Sequence, residues 1–564
     1  MKLSKSDDGM PLISGKSLAK IACSFITSMV VVFPLVLAVV CALPNFFGGW
    51  GLVWDGHPYD FYFLPDIKRH LLGGVVLACI WGTCFVLFCR SRFFVDARHL
   101  PIKLFLITLV SRGVIALTVG QFVSPISDFA FAWDRACTGC VNPEYSSHLL
   151  CPTWMAFSMF EHFWVRLFGS NMGLGLLCSA IFNATTAVMI YYFAMYVFRQ
   201  CRIAFIAASI YIFYPSSIVY TLTATPEHMG IACFMVMAVL IAKCVSVPMA
   251  SGRRLLLVVA AGVVAGFGNS VRPIFMLYAI ATAICLGISL SRGGMRRWRF
   301  VRTSCALFAV FLVVEVCTFG VIIRGAERMF CITLRGVSSM PHCFCVGLNR
   351  QGEGQIHVGG LSRTWHRLLA EGVRPEIATK ETYDIVLEDW RSHWDEIVPF
   401  FAKKFVWTWQ DDNRPFGMAM LQLGKKVGEK VLDSRDREVM AKAIVNRELG
   451  GEGSGNGQNE SGPSSRAQFI DHVWQSVQTA GFVWYFSIMV LAAVSVVLYG
   501  RRNQGNVLYA CNCLFVLGYC GIVILSEAQS RYKCLVMPYV FILAAPLIAK
   551  LFIKDQSGPE GVTF

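Results

Sequence analysis

The chain has 564 residues, of which 55% are hydrophobic and only 15% charged, with a mean hydropathy of +0.57 and a formal net charge of +15. Soluble domains scatter charges between short apolar segments. Here apolar runs of about 19 residues recur, each long enough to cross ~30 Å of hydrocarbon, which excludes a soluble globular protein.

In chain order, Lys2, Lys5, Lys16 and Lys20 precede an apolar span over 21–43. It is too long for the hydrophobic region of a cleaved signal peptide and reads as a retained anchor. An outer loop rich in aromatics and glycine, Asn45–Asp66, leads to a second span at 71–89, so residues 1–101 form a two-span extension. Residues 102–323 form a block of about seven spans, at 103–123, 172–197, 203–222, 228–245, 255–270, 273–291 and 303–323. Residues 324–480 are one large outer segment, and 481–564 hold closing spans at 482–499, 506–526 and 534–553 with a tail. The fold class is thus an all-α polytopic membrane bundle of about twelve transmembrane helices with one large extracytoplasmic segment.

With the N-terminus inside, Arg90, Arg92, Arg98, Arg253, Arg254 and the arginine run of 292–302 all fall on inner connections, while the short outer ones hold few cations. The basic excess therefore follows the positive-inside rule and is not a nucleic-acid surface. Both termini are expected in the cytoplasm of a multi-pass cell-membrane protein.

Within the outer segment, Lys380–Gln410 carries apolar residues at helical spacing (Ile385, Trp390, Trp394, Ile397, Phe400, Phe401, Phe405), which predicts an amphipathic helix lying on the bilayer or the bundle. Gly450–Ser465 reads as a flexible linker. Of the 22 cysteines, those expected outside are Cys137, Cys140, Cys151, Cys331, Cys343 and Cys345. The Cys137-Thr138-Gly139-Cys140 spacing lacks the second pair of a zinc site, so disulfides are the expectation in an oxidising exterior. Arg112 and Glu315 fall at similar depth in two spans and are expected to pair, because an isolated charge in hydrocarbon is costly.

Four polar clusters converge on the outer ends of the spans: Asp128 with Asp134 and Arg135; Pro226-Glu227-His228; Asn269-Ser270-Val271-Arg272-Pro273; and Glu527-Ala528-Gln529-Ser530-Arg531-Tyr532-Lys533. Singly, each is explained by a charged side chain reaching for interfacial water. Together on one side, carboxylates and cations suit a transfer with an anionic leaving group, a carboxylate taking the acceptor proton and guanidinium groups holding a phosphate.

The order of these pieces resembles glycosyltransferase family 39 and its relatives in the C-type glycosyltransferase superfamily, among them the protein O-mannosyltransferases and the lipid A aminoarabinose transferase. Pro-Ile-Ser-Asp128 followed by Trp133-Asp134-Arg135-Ala136 is similar to the first-outer-loop motif. Leu167-Phe168-Gly169, Tyr214-Pro215-Ser216, Glu227 and Arg272-Pro273 resemble later segments. Cys345-Val346-Gly347-Leu348-Asn349 resembles a glycine–asparagine motif, and Gln529-Ser530-Arg531-Tyr532 the C-terminal arginine–tyrosine signature.

The resemblance covers 102–550 and implies a polyprenyl-phosphate-linked sugar donor, a cell-envelope glycan, lipid or protein acceptor, and an inverting displacement. Asp128 and Glu227 would be the catalytic carboxylates. Arg272, Arg531, Tyr532 and Lys533 would hold the donor phosphate, supported by Asp134, Arg135, His228 and Glu527. The sequence requires no cofactor and leaves room for a divalent metal. A transporter or flippase for a lipid-linked substrate is the rival reading, but such proteins show repeated halves with polar sites near mid-membrane.

Overall fold

The computed structural model describes residues 4–5, 11–12, 67–91, 99–125, 127–140, 152–291, 297–332, 347–350, 364, 367–368, 371–409, 416, 419, 465–500, 503, 506–525 and 530–552. The expected first span, the Asn45–Asp66 loop, Cys151, Cys343, Cys345, Glu527 and the glycine-rich linker lie outside the described residues. Two paired two-residue strands, Ser4–Lys5 and Pro11–Leu12, are the strands described; the remaining elements are helical.

The helices in order are α1 (Ile67–Arg90), α2 (Leu100–Thr118), α3 (Ser127–Thr138), α4 (Pro152–Phe168), α5 (Met172–Phe198), α6 (Cys201–Ile212), α7 (Pro215–Tyr220), α8 (Pro226–Ser246), α9 (Ser251–Val271), α10 (Phe275–Ser291) and α11 (Arg297–Phe330). There follow α12 (Pro375–Ser392), α13 (Ile397–Trp409), α14 (Ser465–Gly500), α15 (Val507–Leu525) and α16 (Met537–Phe552). Among the described residues seven helices are long and apolar enough to cross a membrane, and four shorter apolar helices lie at other expected spans. Their outward residues, such as Leu72, Ile80, Val110, Val313 and Val321, are exposed apolar side chains, the surface that hydrocarbon covers.

Close helix contact is bought with small residues. Gly262 and Gly266 of α9 face the backbone of α11, where a Cβ would stand 3.0 Å from Phe311 O and 2.5 Å from Glu315 O respectively. With no hydrophobic drive between helices in lipid, such close packing is a main source of association.

Two expected helices are broken, and proline accounts for both. The span over 203–222 divides at Tyr214, because Pro215 has no N–H to continue the ladder and disfavours helical backbone before it. The helix over 380–410 divides at His393, where a 3₁₀ turn, Trp394–Glu396, leads into α13 with Pro399 in its first turn. Pro399 would meet the carbonyl of residue 395 in a continuous helix.

The first break also corrects the Arg112–Glu315 pairing. Ending α6 strands its last carbonyls, and the buried Arg112 guanidinium donates to Ile212 O at 3.0 Å and Tyr211 O at 3.4 Å. Glu315 instead accepts a hydrogen bond from Asn269 Nδ2 at 3.0 Å. The outer disulfides are corrected in part: Cys137, Cys140 and Cys331 are free thiols. Cys285 of α10 and Cys511 of α15 form a disulfide inside the bundle instead.

Candidate functional site

The site is assembled where three helix ends meet. Thr225 is extended and Pro226 opens α8, which places Glu227 in the first turn, where the helix dipole favours a carboxylate. At the other end of the following hairpin, α9 stops at Val271 because Pro273 cannot extend it, and Arg272 turns out of the helix in extended conformation. Arg272 Nη2 bonds Glu227 Oε1, and Thr225 Oγ1 donates to Glu227 Oε2. The carboxylate is fully buried, whereas the Arg272 side chain keeps 13% of its surface exposed. Glu227 is thus a buried anchor and Arg272 the partner that reaches outward.

An aromatic pair extends the arrangement to α3. The Arg272 guanidinium lies 5.8 Å from the centroid of the Trp154 ring, and Trp154 meets Phe129 edge-on at 5.7 Å. Phe129 follows Asp128 in the first turn of α3, so the start of the Asp128 helix and the arginine both contact one indole. Gly230 completes the join to the C-terminal cluster. A Cβ there would stand 3.2 Å from Arg272 Cγ and 3.8 Å from Leu535 Cδ2, so the 3₁₀ segment Ser530–Leu535 packs against the same turn of α8.

The remaining expected residues are distributed as follows. His228 is buried and turned away, its Nε2 2.9 Å from Tyr220 O. Asp134 is exposed, while Arg135 is buried with Nε on Phe131 O at 3.0 Å and Nη1 2.7 Å from Met155 Sδ. Lys533 is fully buried and points toward α13, donating to Thr408 O at 3.3 Å and lying 4.2 Å from the Tyr485 ring centroid. Arg531 and Tyr532 belong to the 3₁₀ segment, and Asp128 to α3, but their side chains lie outside the described ones.

Three residues that sequence reasoning passed over belong to this neighbourhood. Trp154 bridges two clusters. Glu161 of α4 is buried, and burial pushes its carboxyl up to about 8 against the opposing pull of Arg135. Lys404 of α13 is buried and donates to Gly347 O beside the Phe400 ring. The signal was present for the last two, since each is a charge within an aromatic-rich apolar helix. Among the described residues no group of three or more His, Cys, Asp or Glu could hold a metal ion.

The chain is a predominantly helical, multi-pass membrane protein. No family model and no curated protein matches it. Among solved structures it is similar to the oligosaccharyltransferase of Archaeoglobus fulgidus in the apo form, with 13% identity and a TM-score of 0.36 over 80% of this chain and 51% of that one. It is likewise similar to the same organism's oligosaccharyltransferase AglB in complex with an inhibitory peptide and a dolichol-phosphate, at 13% identity and a TM-score of 0.37 over 82% and 51%. ArnT from Cupriavidus metallidurans bound to undecaprenyl phosphate matches at 13% identity and a TM-score of 0.30 over 80% of this chain and 78% of that one. The chain spans about half the length of the archaeal proteins.

Proposed function

We propose that the protein is a membrane glycosyltransferase that moves a sugar from a polyprenyl-phosphate-linked donor to a cell-envelope acceptor at the extracytoplasmic face. The observation that carries this reading is the run Phe129–Trp154–Arg272–Glu227, which links an arginine whose side chain keeps 13% of its surface exposed to the helix start that bears Asp128. A guanidinium held by a buried carboxylate is fixed in orientation, and a fixed planar guanidinium suits a phosphate.

In this reading the polyprenyl chain stays in the bilayer while its phosphate rises to Arg272, aided by Arg531 and Tyr532 of the 3₁₀ segment, which the buried Lys533 ties to α13. Asp128 takes the proton of an acceptor hydroxyl as that oxygen bonds to the anomeric carbon. The bond from the anomeric carbon to the phosphate oxygen breaks on the opposite side, and its electron pair leaves with the lipid phosphate. Glu227 acts through Arg272 as a positioning residue, consistent with its full burial.

The test is transfer by purified protein reconstituted in lipid, with an undecaprenyl-phosphate sugar as donor. Asp128→Asn is expected to lower the rate by about 10²–10⁴-fold while the protein still folds. Near-normal transfer by that variant would remove Asp128 from the mechanism. Loss of one envelope glycan modification on deletion of the protein would identify the acceptor.

A further inference from the structure

Helices α1 and α14 lie against each other, and glycine lets them touch. A Cβ at Gly73 would stand 2.9 Å from Ser476 Oγ, one at Gly74 would overlap Thr479 Cγ2, and one at Gly82 would meet Trp484 Cζ3 at 3.8 Å. These contacts advance together along both helices, so the two run in the same direction. One turn before Gly73 and Ser476, the same register brings together two histidines, His70 and His472. Their ring centroids are 4.9 Å apart, with 56° between the planes.

Packing of two rings explains the contact but not the choice of ring. His70 is buried, with 8% of its surface exposed. A phenylalanine there would bury at lower cost, because a ring nitrogen taken from water needs a partner. The separation also fits a shared metal ion. A ligating imidazole nitrogen stands about 2.05 Å from the ion, which puts its ring centroid about 3.2 Å away. Two such rings are then about 4.5 Å apart for ligands at a right angle and about 5.2 Å apart at the tetrahedral angle. The observed pair falls between these limits. Each ring spends one nitrogen on the ion and keeps the other for a hydrogen bond.

The pair is both held and reachable. Burial of His70 and the glycine contacts one turn away fix the spacing, as a binding site requires. His472 is exposed, so an ion from water meets it without any side chain moving aside. Trp474, two residues beyond His472, packs on the apolar cluster that holds Leu222 and Ala224, the residues leading into Thr225 and Glu227. The two histidines therefore lie toward the same end of the bundle as the Glu227–Arg272 pair.

We propose that His70 and His472 bind a divalent transition-metal ion of the class that favours imidazole, such as zinc, nickel or copper, which ties α1 to α14. Two protein ligands leave further coordination positions to water, so the ion exchanges, unlike one enclosed by four side chains. Magnesium, which prefers oxygen ligands, is not held. The inference is independent of the glycosyltransferase reading.

The experiment uses full-length protein in lipid nanodiscs, purified without a histidine tag and stripped with a chelator. Zinc chloride is titrated while thermal unfolding is followed, with magnesium chloride as the control. Pulsed electron paramagnetic resonance of added Cu²⁺ reports how many imidazoles bind it. His70→Phe and His472→Phe keep a ring at each place, and His472→Gln alters only the exposed member. For the parent, the unfolding midpoint should rise with zinc and not with magnesium, because an ion that binds the folded state stabilises it, and Cu²⁺ should show two imidazoles. Each variant should need at least about tenfold more zinc for the same rise, having lost one of two attachment points, and should lose the two-imidazole signal. Without ion, both phenylalanine variants should melt as the parent does. If His70→Phe fails to fold, His472→Gln decides alone.

No zinc response in the parent, an equal response to magnesium, or a zinc response of unchanged midpoint in His472→Gln would overturn the inference. The last result would assign the ion to other histidines and leave this pair as ring packing.

Discussion

The Glu227–Arg272 pair allows an asymmetric perturbation to be worked through. Glu227 is completely buried, while 13% of the Arg272 side chain meets the outside. Removing one member of a buried pair leaves an uncompensated charge, a loss of about 3–5 kcal/mol. The two directions are not equal here. Arg272→Met leaves a fully buried carboxylate with, among the described residues, the Thr225 hydroxyl as its remaining side-chain partner, and belongs at the upper end of that range. Glu227→Gln leaves a partly exposed arginine side chain that keeps its cation–π contact with Trp154, so it belongs at or below the lower end. The double variant removes both charges and should recover much of the loss, with a coupling energy of roughly 2–3 kcal/mol. The assay is equilibrium unfolding of the reconstituted protein, with transfer measured in parallel. Arg272→Met and the double variant should both lose transfer despite their different stabilities, because the phosphate-holding guanidinium is absent from each. Strict additivity of the single losses, or a milder effect for Arg272→Met than for Glu227→Gln, would refute the account of an anchored arginine.

Three further outcomes are expected. The Glu161 carboxyl, raised from 4.5 to about 8, holds its proton in the folded protein over a range where the unfolded chain has released it, so stability should fall as pH rises from about 4.5 to about 8. Glu161→Gln should abolish that slope and be the more stable form above about pH 8, by on the order of a few kcal/mol, in thermal melts across pH. Gly266→Ala places a methyl 2.5 Å from Glu315 O and 2.7 Å from Thr318 Cβ and should cost about 1–3 kcal/mol. Gly252→Ala, with open space around it, should be neutral or mildly stabilising in the same unfolding assay. Reporter fusions after Arg297 and after Gly455 should report opposite compartments; a shared compartment would refute the topology and with it the proposed side of the site.

Much of the bundle was legible because its signal is local. A run of apolar residues long enough to cross hydrocarbon identifies a helix without reference to any neighbour, and eleven expected spans from 71–89 onward coincide with helical elements. The two helices that broke did so at Pro215 and before Pro399, and both prolines were visible in the sequence; long apolar periodicity outweighed them in the reading. The candidate site was legible only as separate clusters. Trp154 carries no charge and lies in an ordinary aromatic run, so nothing in the sequence marks it as the ring between Phe129 and Arg272.

What the sequence determined by itself, then, was which segments leave water and which charges go with them, because transfer to hydrocarbon is a property of each segment alone. The partners of those charges were decided by tertiary structure. Arg112 and Glu315 were correctly read as buried charges in need of company, but depth along a span fixes only one coordinate of a side chain. Helix rotation and packing supply the others: the broken end of α6 presents carbonyls to Arg112, and the close glycine-mediated crossing of α9 and α11 brings Asn269 to Glu315. The same holds for Glu227 and Arg272, which lie 45 residues apart and meet because α8 and α9 form a hairpin whose two open ends close on each other.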